Sequence, residues 1–140
     1  MIENRRVLIV APHPDDESLG AGGAAAKFAA QGCEVSVLVV SGHLPPLYTR
    51  EQYEHTVCEA TRAFELLGIA HHRFVEVPAT MVAAQPVHEL NGHIAAAVAE
   101  MRPQVLLLPY PDRHVDHRAI FDSVMVARAQ KSQNRKKLRN

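Results

Sequence analysis

The stretch VLIVAPHPDDESLGAGGAAAKF, residues 7–28, decides the fold class of this chain. It opens on a continuous aliphatic run, as expected of a strand that is covered on both faces. The segment ESLGAGGAAAKFAAQG, residues 17–32, predicts a helix that stops at Gly32. A histidine and three acids, all between His13 and Glu17, lie at the junction of this strand and this helix. A strand, a polar turn and a helix in this order begin a β/α unit.

The same alternation continues along the chain. Strands are predicted at residues 34–42, 72–79 and 104–111, and helices at 50–68, 87–103 and 117–130. Four alternations predict an α/β fold of three layers, a parallel sheet with helices on both faces. Residues 1–130 are expected to form one domain. Residues 131–140 are expected to be a disordered basic tail, since they are rich in lysine and arginine and lack acids.

Composition narrows the class of protein further. Hydrophobic residues make up 47% of the 140 residues, which is ordinary for a globular domain. Lys+Arg and Asp+Glu are equal at 15 each, so the overall charge indicates no nucleic-acid partner. No apolar run reaches the roughly 18–20 residues of a membrane span. With no export signal and only Cys33 and Cys58, both expected to be buried, the prediction is cytoplasmic.

Two polar clusters follow predicted strands. PHPDDE, residues 12–17, follows the first strand, and YPDRHVDH, residues 110–117, follows the fourth. In an open parallel sheet, ligands bind outside the carboxyl ends of the strands. The two clusters can therefore face one crevice.

A metal site explains these clusters better than helix capping does. Acids at the start of a helix complement its dipole, and Asp16 is a candidate N-cap, but this leaves His13 and Asp15 unexplained. We predict His13, Asp16 and His117 as the ligands of a catalytic zinc ion. Ligand types alone leave Fe²⁺ and Mn²⁺ open. Asp15 is then free to take a proton from water that the metal activates.

The two motifs also resemble a known family. APHPDDESLGAGG together with HVDH is similar to the zinc-dependent N-deacetylases of the PIG-L/LmbE type, whose signatures are A-H-P-D-D-E and H-x-D-H. The match runs from His13 to Glu17, with Pro12 where the family usually has the alanine. The similarity covers essentially the whole chain, including the pattern from Glu59 to Gly68.

The resemblance implies a fold, an activity and roles for residues. The fold is Rossmann-like, and the activity is hydrolytic removal of the acetyl group from an N-acetylated amino sugar or its conjugate. Zinc is held by His13, Asp16 and His117, and Asp15 is the general base. His114, which can be cationic and is oriented by Asp116, is the second electrostatic residue. Arg113 is a further candidate donor to the oxyanion.

Two departures from the family pattern leave a second interpretation of the function open. Thr56 stands where members usually carry an arginine that contacts the substrate, and members are commonly longer after the fourth helix. We therefore expect a partner or a second copy to complete the pocket. The alternative is a truncated or degenerate homologue that acts as a non-catalytic metal-binding, carbohydrate-binding or assembly domain.

Overall fold

The computed structural model describes residues 3–137, and the side chains of residues 3–129 among them. Strands and helices alternate as predicted. Their bounds are β1 (Arg6–Ala11), α1 (Asp16–Ala30), β2 (Glu34–Gly42), α2 (Arg50–Leu67), β3 (His71–Pro78), α3 (Val87–Met101), β4 (Val105–Leu107) and α4 (Val115–Lys137). A short 3-10 helix, Val82–Ala84, precedes α3.

The four strands form one parallel sheet in the order β3-β2-β1-β4. This confirms the predicted α/β class. β4 is shorter than predicted, because only Val105–Leu107 pair with β1. Beyond Leu107 the chain leaves the sheet and turns toward the start of α4.

Side-chain alternation on the strands buries both faces of the sheet. In β1, Leu8 and Val10 face a core formed with α3 and α4, whereas Val7 and Ile9 face a core formed with α1 and α2. Successive side chains of a strand point to opposite faces, so a continuous aliphatic run fills two cores at once. This confirms the three-layer arrangement.

The strand order creates a switch point between β1 and β4. From β1 the chain proceeds outward to β2 and β3, and it then returns to place β4 on the other side of β1. The helices that follow β1 and β4 consequently pack on opposite faces of the sheet. A crevice at the carboxyl ends of such a strand pair is where ligands bind in open α/β sheets.

Local signals fix the ends of α2. Thr49 and Gln52 form a capping box, in which the Thr49 hydroxyl accepts from the Gln52 N–H at 3.2 Å and Gln52 Oε1 accepts from the Thr49 N–H at 2.8 Å. Gly68 ends the helix with φ of 73°, a conformation that favours glycine. The predicted stop of α2 is confirmed.

Three local details differ from the expected ones. Asp15, not Asp16, is the N-cap of α1, and the Asp16 carboxylate accepts the backbone N–H of His13 at 3.0 Å. Helix α4 spans Val115–Lys137, so it begins two residues before the predicted start and extends past the predicted end, while the division into a domain of residues 1–130 and a basic tail of residues 131–140 stays a prediction. Residues 138–140 lie outside the described residues. Cys33 is buried as expected, but Cys58 is exposed.

Among residues 3–137, no helix is both long and apolar enough to cross a membrane.

Candidate metal centre

The loops after β1 and β4 meet at the carboxyl edge of the sheet. The two strands pair in register, with Val7 opposite Val105 and Ile9 opposite Leu107. As a result, the rings of His13 and His117 approach with their centroids 5.6 Å apart. The predicted convergence of the two polar clusters is therefore present.

Asp16 lies between these two imidazoles. Its Oδ2 atom is 3.2 Å from His13 Nδ1 and 3.5 Å from His117 Nε2. Ligand atoms around a tetrahedral ion with bonds of about 2.1 Å stand about 3.4 Å apart. Two imidazole nitrogens and one carboxylate oxygen at these separations fit a divalent metal, so His13, Asp16 and His117 could hold one.

Each of the two imidazoles also contacts a carboxylate through its other nitrogen. His13 Nε2 lies 3.0 Å from Asp116 Oδ2, and His117 Nδ1 lies 3.0 Å from Asp112 Oδ2. A carboxylate at that position keeps the proton on the nitrogen that faces it, which leaves the other nitrogen free as a ligand. The nitrogens left free are the two that face Asp16.

A second set of residues, His13, His114 and Asp116, is also compact enough to hold an ion. Asp116 is nevertheless 0% exposed and already accepts two backbone hydrogen bonds, from the Thr80 N–H at 2.7 Å and from the Val82 N–H at 3.2 Å. These bonds suit a carboxylate that supports His13 better than one that binds an ion.

The contact with Asp116 also holds a strained residue. Thr80 has φ of 68°, an uncommon conformation for a β-branched side chain. Such strain persists where the surrounding structure fixes the backbone, and it is frequent near functional sites. Here the hydrogen bond from the Thr80 N–H to Asp116 ties the segment after β3 to the metal centre.

The charges of the centre shift the pKa values of its members. Burial alone lowers the pKa of His13, but the hydrogen bonds to Asp16 and Asp116 and their charges outweigh it, so the pKa lies above 6.5. Burial opposes ionisation of Asp16, yet contacts with His13 and His117 lower its pKa below 3.8. The backbone N–H of His114 and the neighbouring imidazole of His117 lower the pKa of Asp112. The charges of the cluster therefore favour the ionised carboxylates of Asp16 and Asp112 and the protonated imidazole of His13.

The remaining predicted residues lie in the same two loops or at the starts of the helices that follow them. Asp15 is exposed at the N-cap of α1, directly before Asp16. The ring centroid of His114 lies 4.8 Å from those of both His13 and His117. Arg113 is exposed in the loop between β4 and α4. The fold thus places all seven predicted residues in the two loops or in the first turns of the helices that follow them.

The relation between His114 and Asp116 differs from the expected one. The Asp116 carboxylate contacts His13, and the hydrogen bond to His114 comes from the Asp116 backbone N–H, which donates to His114 Nδ1 at 3.2 Å. Because Nδ1 accepts this bond, Nε2 is the ring nitrogen that is left to donate.

Two acids at the site were not assigned roles from the sequence. Asp112 accepts a hydrogen bond from the His114 N–H at 2.7 Å and also contacts His117. Its position five residues before His117 was the sequence signal that could have identified it as a partner of that imidazole. Glu17 is 2% exposed and accepts from the Ser18 hydroxyl at 2.8 Å, while its Oε2 atom has no hydrogen-bond partner among the described residues. Burial raises the pKa of Glu17, which favours the protonated acid.

Comparison with known proteins supports the same interpretation of the two motifs. A family model described as PIG-L, GlcNAc-PI de-N-acetylase, matches residues 8–128. A 1D-myo-inositol 2-acetamido-2-deoxy-alpha-D-glucopyranoside deacetylase of Streptomyces avermitilis is 31% identical over 147 residues. That match covers 83% of this chain and 50% of the relative. The chain thus spans about half the length of this relative.

Solved structures share the fold. A conserved protein of Thermus thermophilus is 31% identical with a TM-score of 0.76, covering 88% of this chain and 55% of that one. The N,N'-diacetylchitobiose deacetylase of Pyrococcus horikoshii has a TM-score of 0.78 at 23% identity, covering 89% of this chain and 49% of that one. With a family model matched over most of its length, and with both motifs of that family meeting at one sheet edge, the chain belongs to the PIG-L family.

Proposed function

We propose that this chain is a metal-dependent hydrolase that removes the acetyl group from an N-acetylated amino sugar or sugar conjugate. The observation that supports this most is the arrangement of Asp16 Oδ2 between His13 Nδ1 and His117 Nε2, at 3.2 and 3.5 Å. The names of the relatives, which are deacetylases of acetamido sugars, point to the same substrate class.

His13, Asp16 and His117 are the proposed metal ligands, and Zn²⁺ is the ion that we expect. When bound, such an ion supplies a Lewis acid that polarises a carbonyl and lowers the pKa of water. Asp116 and Asp112 hold the two imidazoles in the orientation that this binding requires. Fe²⁺ and Mn²⁺ suit the same set of nitrogen and oxygen donors.

Asp15 is the proposed general base. Its carboxylate directly precedes Asp16 and is exposed, so it can take a proton from water that attacks the amide carbon. The proton then passes to the departing amine as the C–N bond breaks, which yields acetate and a free amino sugar.

His114 and Arg113 are the proposed donors to the oxygen of the carbonyl. His114 carries its proton on Nε2 because Nδ1 accepts the Asp116 N–H, so the ring can donate toward negative charge that develops beside it. Arg113 lies in the same loop and offers a charged donor from the solvent side. Asp116 acts through His13 as a positioning residue.

The test is release of a primary amine from N-acetylglucosamine and its glycosides, measured with the protein reconstituted with Zn²⁺, Fe²⁺ or Mn²⁺ in turn. We expect amine release that requires the metal and is lost in Asp15→Asn. A protein that binds metal but releases no amine from any of these compounds would contradict hydrolysis and favour the non-catalytic alternative.

Cytoplasmic location and a second copy that completes the pocket stay predictions.

A further inference from the structure

A pocket of about 360 Å³ lies between the loop after β2 and the first turns of α2. We call it the β2–α2 pocket. Its lining residues are His43, Tyr48, Glu51, Gln52, His55 and Thr56. All of them follow the carboxyl end of β2, and β2 is the neighbour of β1 in the sheet. The pocket therefore lies at the same edge of the sheet as the proposed metal centre.

Hydrogen bonds hold the end of β2 against the loop after β1. The backbone N–H and the hydroxyl of Ser41, a buried residue, both donate to the carbonyl oxygen of Pro12 at 2.9 Å. A Cβ atom at Gly42 would lie 3.9 Å from Cγ of Pro14. The β2–α2 pocket therefore begins beside the two prolines that flank the proposed ligand His13.

Contacts within the chain also set the shape of the loop after β2. Leu44 is buried, and its N–H donates to the carbonyl of Gly42 at 2.8 Å. The carbonyl of Leu44 accepts from the Tyr48 N–H at 3.3 Å. The capping box of Thr49 and Gln52 then starts α2 directly after Tyr48. The fold thus fixes the chain on both sides of Tyr48.

The β2–α2 pocket combines aromatic rings with planar polar groups. The ring centroids of His43 and Tyr48 lie 4.3 Å apart, and Tyr48 is 38% exposed. A partly exposed tyrosine offers an apolar ring face together with a hydroxyl group. Beside it, the exposed carboxylate of Glu51 can accept hydrogen bonds. Gln52 uses Oε1 to accept the Thr49 N–H, which leaves its amide nitrogen to donate.

This lining selects among the classes of ligand. Among the residues that the structure describes, it contains neither lysine nor arginine, so it lacks the donors that phosphate groups usually require. It also lacks leucine, isoleucine and valine, so it offers an acyl chain little apolar surface. A pyranose ring has C–H groups on its faces and hydroxyl groups at its rim. An aromatic face beside a carboxylate and an amide complements both of these features.

We propose that the β2–α2 pocket binds the pyranose ring that carries the scissile amide. Tyr48 stacks on the C–H face of the ring, and Glu51 and Gln52 bind its hydroxyl groups. This inference rests on the proposed hydrolysis and specifies how the sugar is held while its amide reaches the metal centre. Thr56, which stands in place of the family's arginine, donates its hydroxyl to the Gln52 carbonyl at 2.9 Å, so recognition falls to the other residues of the lining.

Two ligands that differ in the sugar test the proposal without turnover. Metal-free protein labelled with nitrogen-15 is titrated in the NMR spectrometer with methyl N-acetyl-β-glucosaminide, and separately with N-ethylacetamide, which carries the amide without the sugar. We expect the backbone amide signals of residues 43–56 to shift with the glucosaminide and to stay in place with N-ethylacetamide. No shift of these signals with the glucosaminide, or equal shifts with both compounds, would overturn the proposal.

Neighbours in the same loop provide a matched pair of variants. Tyr48→Ala should weaken binding of the glucosaminide by about 3- to 10-fold, because the stacked ring is lost, and Tyr48→Phe should retain most of the affinity. Leu47→Ala is the control, because Leu47 is 59% exposed and lies outside the lining. Equal affinity of Tyr48→Ala and Leu47→Ala would contradict the stacking. Thermal melting verifies that all three variants fold.

A second pair of variants examines the hydroxyl groups of the sugar. Glu51→Ala should weaken binding by about 3- to 10-fold through the lost acceptor. Glu65→Ala, at an exposed position on the same helix outside the lining, should bind as wild type does. The same affinity in both variants would remove Glu51 from the site.

Kinetics separate this proposal from the proposed hydrolysis. With metal bound, Tyr48→Ala should raise KM for the glucosaminide and leave kcat within about twofold, because stacking holds substrate and transition state alike. Amine release with the same KM in wild type and Tyr48→Ala would overturn the pocket proposal alone. Shifts of residues 43–56 with no amine release would overturn the hydrolysis and leave the pocket as a carbohydrate-binding site.

Discussion

His13 Nε2 lies 3.0 Å from the carboxylate of Asp116, although the two residues are 103 positions apart in the chain. One oxygen of this carboxylate contacts His13 and the Thr80 N–H, and the other accepts from the Val82 N–H. A single buried side chain therefore links the loop after β1, the segment after β3 and the first turn of α4. The proposed metal centre and the local fold therefore share this residue.

Asp116→Ala should lower both stability and metal affinity. The variant leaves two backbone N–H groups without an acceptor, which should cost about 2–4 kcal/mol of unfolding free energy. Loss of the carboxylate behind His13 should weaken metal binding by about 10–100-fold. Urea unfolding and Zn²⁺ titration measure the two effects. The control is Asp122→Ala, because Asp122 is an exposed acid on the same helix, and this variant should change neither stability nor metal affinity. Equal behaviour of the two variants would count against this role of Asp116.

Gly42 should tolerate no side chain. A Cβ atom there would lie 2.7 Å from Cε2 and 3.0 Å from Cδ2 of Tyr53, whose ring is buried. Gly42→Ala should therefore destabilise the protein by about 1–3 kcal/mol in urea unfolding. Gly92→Ala is the matched control, because a Cβ atom there meets nothing within 4 Å and alanine suits a helix better than glycine. If the two substitutions had the same effect, the contact with Tyr53 would not be the cause.

Stability should fall between about pH 10 and 12 through Tyr53. Burial, followed by the charge and the hydrogen bond of Glu76, raises the pKa of Tyr53 from 10.0 to about 12. In this range the folded protein keeps the phenolic proton of Tyr53 while the unfolded chain loses it, so a rise in pH favours unfolding. The free energy of unfolding should fall by at most about 2.7 kcal/mol. The measurement is the melting temperature at pH 9 and pH 11 in wild type and Tyr53→Phe.

The comparison of those two proteins isolates the contribution of Tyr53 from that of other titrating groups. Tyr53→Phe should show the smaller loss over this pH range, and Tyr110→Phe, at an 82% exposed position, should behave as wild type does. The same pH dependence in all three proteins would mean that Tyr53 does not retain its proton in the folded state.

Asp15→Asn should abolish most activity while retaining the metal. Removal of a general base typically lowers the rate by about 10²–10⁴-fold, whereas the proposed ligands His13, Asp16 and His117 are untouched. Amine release and Zn²⁺ content are measured on the same preparation, with Asp122→Asn as the control. Full activity in Asp15→Asn would remove Asp15 from the mechanism.

The sequence predicts the fold well because its signals are local or periodic. The aliphatic run of β1 and the helix after it identify a β/α unit, and repetition of that unit implies a parallel sheet. The carboxyl ends of parallel strands share one edge, so the sequence alone predicts that His13 and His117 lie close together. The order of the strands has no such signal, because it depends on how the helices pack across the sheet.

The contacts that organise the metal centre were harder to predict. Asp116 accepts from the backbone N–H groups of Thr80 and Val82, and backbone donors leave no trace in the sequence. The family resemblance implied that Asp116 orients His114, but the first turn of α4 directs its carboxylate to His13. Asp16 was also a candidate N-cap by residue type, and its contact with the His13 N–H is set by the turn before the helix.

The most direct test of the account is the metal content of wild type beside that of four single variants. Protein freed of metal is loaded with Zn²⁺, passed over a desalting column and analysed for zinc per chain. We predict one ion in wild type and in His93→Ala, an exposed histidine of α3, and loss of the ion in His13→Ala, Asp16→Ala and His117→Ala. A wild-type protein without zinc, or full zinc content in Asp16→Ala and His117→Ala, would contradict the proposed centre.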